Sequence, residues 1–146
     1  MVNENRTLAV SVELEVPFCD TDALGIVWHG NYYRYFALAK SALNKAIRYD
    51  YEDQQRGEFS WFVTETRCRH VAPLRYGSRI RVTARLAEMS MRLKTNYLIE
   101  DISSAKAIAR GYTTHAAVNK VTGELAKNCP PELEEAVRIW LASKSA

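Results

Sequence analysis

Residues 18–36 read FCDTDALGIVWHGNYYRYF. Two aspartates, Asp20 and Asp22, a glycine, Gly25, and a histidine, His29, lead directly into the aromatic run Tyr32, Tyr33, Tyr35 and Phe36. From Asn31 to Ile47 the apolar residues Tyr32, Phe36, Ala39, Leu43, Ala46 and Ile47 recur at the three-and-four spacing of one helix face. The acidic loop therefore stands immediately before the longest predicted helix.

Upstream, LAVSVELEV from Leu8 to Val16 sets Val10, Val12, Leu14 and Val16 against Ser11, Glu13 and Glu15, the period of a half-buried strand, and Pro17 closes it. Downstream, the polar stretch 50–60 is expected to be a surface loop turning at Gly57. Four strand-like segments follow: Trp61–Val71, Ser78–Met89, Arg92–Ser103 and Lys106–Asn119. The breaks between them are short, which favours antiparallel meander connections over crossovers. Pro130-Pro131-Glu132 opens a second, shorter amphipathic helix carrying Leu133, Ala136, Val137, Trp140 and Leu141. Strand, long helix, four strands and short helix together predict an α+β fold in which one antiparallel sheet wraps the long helix.

The chain has 146 residues and no Pro/Gly/Ser-rich linker, so residues 1–146 are expected to form one domain. Hydrophobic residues at 47% and charged residues at 25% give the balance of an ordinary globular protein, which argues against disorder. The net charge of +3, with no basic run, is too small for a phosphate-backbone footprint, so no nucleic-acid partner is expected. No apolar run approaches the roughly 18 residues of a membrane span, and MVNENRTLAV lacks the layout of a secretory leader. Cys19, Cys68 and Cys129 lack C-x-x-C spacing and read as free thiols. A cytoplasmic protein is the expectation, with neither membrane nor metal partner. His70 and His115 are isolated and are read as packing or strand-surface residues.

Taken alone, FCDTDALG is an Asp-rich turn, since Asp bonds its own backbone and Gly25 supplies unusual dihedrals. Its position adds chemistry. Free N–H groups and the positive end of a helix favour anions and developing oxyanions, and a carboxylate beside them suits acyl chemistry as nucleophile or general base. Asp20 is read as the structural acid of the pair, and Asn31 as a candidate cap.

The run Asp20-x-Asp22-x-x-Gly25-x-Val27-x-His29-x-x-Tyr32 resembles the D-x-D-x-x-G-x-V-x-[HY]-x-x-Y signature of the 4-hydroxybenzoyl-CoA thioesterase family. The resemblance covers roughly residues 8–121. It implies a hotdog fold, in which a five-stranded antiparallel sheet wraps one central helix, and an acyl-CoA thioesterase that needs no metal or organic cofactor. Asp22 would be the catalytic carboxylate, as nucleophile or as general base. His29 would polarise the thioester oxygen through its backbone N–H at the helix start. Gly25 would let the loop turn under the acyl group, and Tyr32, otherwise a core aromatic, would join the acyl pocket. Arg92 and Lys94, in a turn where family members carry cations, would meet the phosphates of coenzyme A.

Residues 55–62 and the Tyr-rich helix face are the candidates for acyl selectivity. Glu65 lies in a strand, whereas a second branch of hotdog thioesterases carries its acid on a helix, so Glu65 is read as an exposed or paired strand acid, with a substrate role as the alternative. A homodimer or homotetramer is expected, since a single sheet exposes its edges. Two other readings stay open. One is a thioesterase acting on an acyl-carrier-protein thioester, with Arg79, Arg81 and Arg85 docking the acidic carrier. The other is a non-catalytic acyl-binding module.

Overall fold

In a computed structural model of the chain, which describes residues 7–144, the alternating segment near the start forms strand β1 (Ala9–Glu15). The residues 1–6 that open the leader-like comparison above lie outside the described range. Helix α1 spans Asn31–Ala46, and the remaining elements are α2 (Tyr51–Arg56), β2 (Phe59–His70), β3 (Arg79–Met89), β4 (Arg92–Asp101), β5 (Ala107–Asn119) and α3 (Pro131–Lys144). The strands make one antiparallel sheet in the order β1-β3-β4-β5-β2, with α1 on its inner face.

The predicted stripe is buried except at Ala46, which is exposed at the end of the helix. Tyr32, Phe36, Ala39 and Leu43 are buried with Val82, Ala84, Tyr97 and Ile99 of the sheet, and Tyr35 joins them. Phe36 stacks on Tyr97 with ring centroids 4.5 Å apart. That approach requires Gly111 on β5, where any Cβ would run into the Phe36 ring and the Arg67 carbonyl. Leu133 and Val137 of α3, two residues of its predicted stripe, belong to the same core.

Two expectations are corrected. The stretch 50–60 is not all loop, because Asp50 and Asp53 form a reciprocal capping box that holds the single-turn helix α2 without any apolar stripe. The link from β2 to β3 is not a hairpin either, since β4 and β5 lie between those strands. Crossing three strand spacings requires only about 14 Å. Residues 71–78, which extend up to roughly 26 Å, reach that far without a helix. Only β3, β4 and β5 form the meander.

Helix α1 ends in a Schellman turn: the Arg48 N–H donates to the Lys45 carbonyl and the Tyr49 N–H to that of Asn44. Arg48 pays for the geometry with a φ of 56°, a left-handed conformation that costs a side-chain-bearing residue about 1 kcal/mol. Arg48→Gly is therefore expected to stabilise the protein by up to about 1 kcal/mol, which for this length raises the melting temperature by about 2–4 °C. A fall in melting temperature would show that Arg48 is held by contacts worth more than its strain.

Candidate active site

Pro17 starts the loop, and residues Phe18–Asp20 form one turn of 3₁₀ helix. Thr21 donates its hydroxyl to the Phe18 carbonyl at 2.7 Å and pairs with Val27 across a short bridge. Between them the chain reverses through residues 22–25, with the Gly25 N–H on the Asp22 carbonyl and the Leu24 N–H on Asp22 Oδ1 at 2.8 Å. This is the Asp-anchored turn that the residue types predict, and Gly25 closes it at a φ of +76°.

Asp20 and Asp22 divide the work. Asp20 is buried, accepts the Tyr35 hydroxyl at 2.6 Å and is ion-paired with Arg34. Burial first, and then the bond to Asp20, hold the Tyr35 phenol well above its ordinary pKa. The Asp20 carbonyl also receives the Trp28 N–H and the Asn31 side-chain amide. Asn31 is thus not the helix cap. It is the first helical residue, and its side chain docks the loop onto α1 instead.

Asp22 is only partly buried, and its carboxylate has one described hydrogen bond, from Leu24. The helix start beside this loop is uncapped: Gly30 in the cap position offers no side chain, and the first turn holds no acid. The N–H groups of Asn31 and Tyr32 turn back to the Trp28 and His29 carbonyls. Among the described residues, those of His29 and Gly30 have no acceptor within the chain. One partly exposed carboxylate and two unsatisfied donors at the positive end of a helix therefore share one loop. Phe18, Leu24 and Trp28 border it as exposed apolar side chains.

The His29 imidazole is exposed and lies against the Trp28 ring, with centroids 5.1 Å apart. Tyr32 is 3% exposed and packs edge-on against His70, so its position is that of a core aromatic in the first turn of α1. Arg92 and Lys94 stand elsewhere. Glu15, just before the acidic loop, pairs with Arg79 at one end of β3, whereas Lys94 pairs with Glu88 at the other. Nine residues of strand separate those positions, about 30 Å. Lys94 lies over the Tyr112 ring, and Tyr112 donates to Glu65 at 2.5 Å, so Glu65 is a paired strand acid.

A cavity of about 870 Å³ opens near the loop and is lined by Leu74, Arg75, Arg79, Asp101, Lys106 and Ile108 among others. None of Asp22, Gly25, His29 or Tyr32 lines it. It does place three cations at the acidic-loop end of the sheet, since Ile26 pairs with Arg75. Among the described residues, no three His, Cys, Asp or Glu side chains gather as metal ligands, and no helix is long and apolar enough to cross a membrane.

The sequence profile of the Thioesterase-like superfamily matches residues 16–141. The chain belongs to that superfamily, and at this level it is a thioester hydrolase. The match takes in the acidic loop, the whole sheet after β1 and most of α3.

Over 95 residues, the chain is 34% identical to a protein of Aquifex aeolicus (strain VF5) named an esterase by inference, covering 63% of this chain and 74% of that one. It is 32% identical over 65 residues to YneP of Bacillus subtilis (strain 168), named an acyl-CoA thioesterase by inference, covering 44% and 47%. In three dimensions it superposes on Slr0204, a 1,4-dihydroxy-2-naphthoyl-CoA thioesterase from Synechocystis, with a TM-score of 0.80 over 89% of this chain and 96% of that one, at 21% identity. That likeness establishes the hotdog fold.

Sequence reading missed the partners of Asp20 and the environment of Lys40. Tyr35 and Arg34 fall on the helix between stripe positions, with no sequence signal tying them to the loop. Lys40 had one: it lies four residues after Phe36 and three before Leu43, so it shares the inward face of α1.

Proposed function

We propose that the chain hydrolyses an acyl-CoA thioester to the free acid and coenzyme A, with Asp22 as nucleophile or general base. The observation that carries this reading is the single loop that holds both the Asp22 carboxylate and the unsatisfied N–H groups of His29 and Gly30. A thioester oxygen on those donors gains negative charge as the carbonyl is attacked, and donors fixed in advance stabilise that charge without reorganising. Either a water gives its proton to Asp22 as its oxygen bonds the carbonyl carbon, or Asp22 bonds that carbon itself; the C–S bond breaks and the thiolate leaves, and on the second route a water then hydrolyses the acyl–Asp22 anhydride to the free acid and restores the carboxylate.

The run across residues 20–32 resembles the signature of 4-hydroxybenzoyl-CoA thioesterases, and the name of the Synechocystis neighbour puts aromatic acyl groups first among those to test. A homo-oligomer completes the site. Edge strand β2 is 12 residues long and exposes Phe62 at 55% and Val63 at 57%, a surface that asks to be covered. Arg92 and Lys94, about 30 Å from the loop within one chain, serve the coenzyme A phosphates only if a partner subunit brings them there. Arg75, Arg79 and Lys106 are the cations on the loop's own side. The free thiols of Cys19, Cys68 and Cys129 suit a cytoplasmic setting.

A carrier-protein thioester is the second reading, favoured by Arg85 and Arg110 on the outer face of the sheet, where both line one groove. The two are separated by offering the same acyl group on coenzyme A and on a phosphopantetheinylated carrier and measuring kcat/KM. The acyl-CoA is expected to be preferred at least tenfold. The reverse preference would move the substrate to the carrier protein.

A further inference from the structure

Lys40 is a cation without a counter-ion. Its Nζ donates one hydrogen bond, to Thr95 Oγ1 at 2.9 Å, and among the described residues it pairs with no carboxylate. Burial alone pulls its pKa down to about 8, so at neutral pH it is still mostly an ammonium, with two N–H bonds unspent. Leaving a charge in such a place is costly unless something pairs with it.

Around Lys40 lies a cavity of about 110 Å³ between α1, α2 and the inner face of the sheet, floored by Leu93. Its polar lining is rich in donors. The Tyr49 hydroxyl accepts the Trp61 indole N–H at 2.9 Å, while its own proton has no acceptor among the described residues. The Asn44 side-chain amide, also in the lining, has no described partner. His115 Nδ1 is buried and unpartnered, and burial together with the Lys40 charge lowers the imidazole to about 4, which keeps it neutral at pH 7. No carboxylate is in the lining; Glu132, whose charge reaches Tyr49, is outside it.

We propose that this cavity is a binding site for one small carboxylate, held by the Lys40 ammonium with the Tyr49 hydroxyl and the Asn44 amide. The volume corresponds to about three or four waters, enough for a formate or acetate and too little for an aromatic acid. Lys40 lies nine residues beyond Asn31, about 13 Å along the helix from the acidic loop. The carboxylate is therefore either free in solution or the far end of an acyl chain whose thioester rests at Asp22, and only the latter source builds on the proposed thioesterase reading.

Two arms test this on the intact 146-residue chain. In the first, sodium formate is titrated at constant ionic strength while the imidazole resonances of the three histidines are followed. A saturable shift of His115, absent from His29 and His70, is expected, with the dissociation constant raised at least tenfold in Lys40→Met and severalfold in the volume-conserving Tyr49→Phe. In the second, kcat/KM is measured for ω-carboxyacyl-CoA esters of several lengths against uncharged esters of equal length. If the acyl chain supplies the carboxylate, the ratio of charged to uncharged falls at least tenfold in Lys40→Met. A His115 response without that fall identifies a free carboxylate as the ligand.

The proposal is overturned if His115 shows no saturable response, or the same response in Lys40→Met, and the ratio does not move. Turnover enters only the second arm, so an absence of thioester hydrolysis would sink the functional reading and leave the binding result standing.

Discussion

Asp22→Asn is expected to lower kcat/KM on the best acyl-CoA by about 10² to 10⁴, the usual contribution of a general base, with at least as large a loss if Asp22 is the nucleophile. The substitution isolates the chemistry. An asparagine keeps an Oδ1 to accept the Leu24 N–H, so the turn through residues 22–25 persists while the carboxylate is gone. His29→Ala removes an exposed imidazole and leaves its backbone N–H in place, so the loss there is expected to stay below about tenfold, well short of the 10² to 10³ that follows removal of an oxyanion donor. Steady-state thiol release from both variants checks the ordering. Equal losses would give the imidazole a direct part in the reaction.

Asp20→Ala is expected to act through the fold of the same loop. It strands the Tyr35 hydroxyl, whose residue is 1% exposed, without the acceptor it now meets at 2.6 Å. An unsatisfied buried donor costs about 1–3 kcal/mol. The Arg34 side chain is half exposed and rehydrates when its partner is removed, so the lost ion pair adds under about 1 kcal/mol. The expected destabilisation is about 1–4 kcal/mol, read from denaturant unfolding. Asp20→Asn, which keeps an acceptor for Tyr35, is expected to cost less than half as much. A change below about 1 kcal/mol in Asp20→Ala would mean that the loop is held mainly by its backbone bonds to Asn31 and Trp28.

The elements legible in the sequence are those fixed by one-dimensional periodicity. Val10, Val12 and Leu14 alternate because β1 has one buried face, and Tyr32, Phe36, Ala39 and Leu43 recur because α1 lies on the sheet along one stripe. The position of β2 was not legible. Which edge a strand joins depends on how far residues 71–78 reach, and periodicity carries no such information. Helix α2 was missed because a capping box, and not an apolar face, holds it.

At the candidate site, residue types were enough to find the turn, the glycine and the structural character of Asp20. They did not reveal that Gly30 leaves the helix start uncapped, or that Arg92 and Lys94 lie at the far end of the sheet, because both facts depend on three-dimensional register. Lys40 could have been noticed as a cation on a buried stripe, but the groups that line its cavity come from α1, the turn after it, α2, β2, β4 and β5 and meet only in the folded chain.

The most direct test of the central claim is thiol release from a panel of aromatic and aliphatic acyl-CoA esters, wild type beside Asp22→Asn. The wild type is expected to turn over at least one ester, and that turnover to collapse in the variant. Wild-type rates retained without the Asp22 carboxylate, or no ester turned over above the variant, would contradict it.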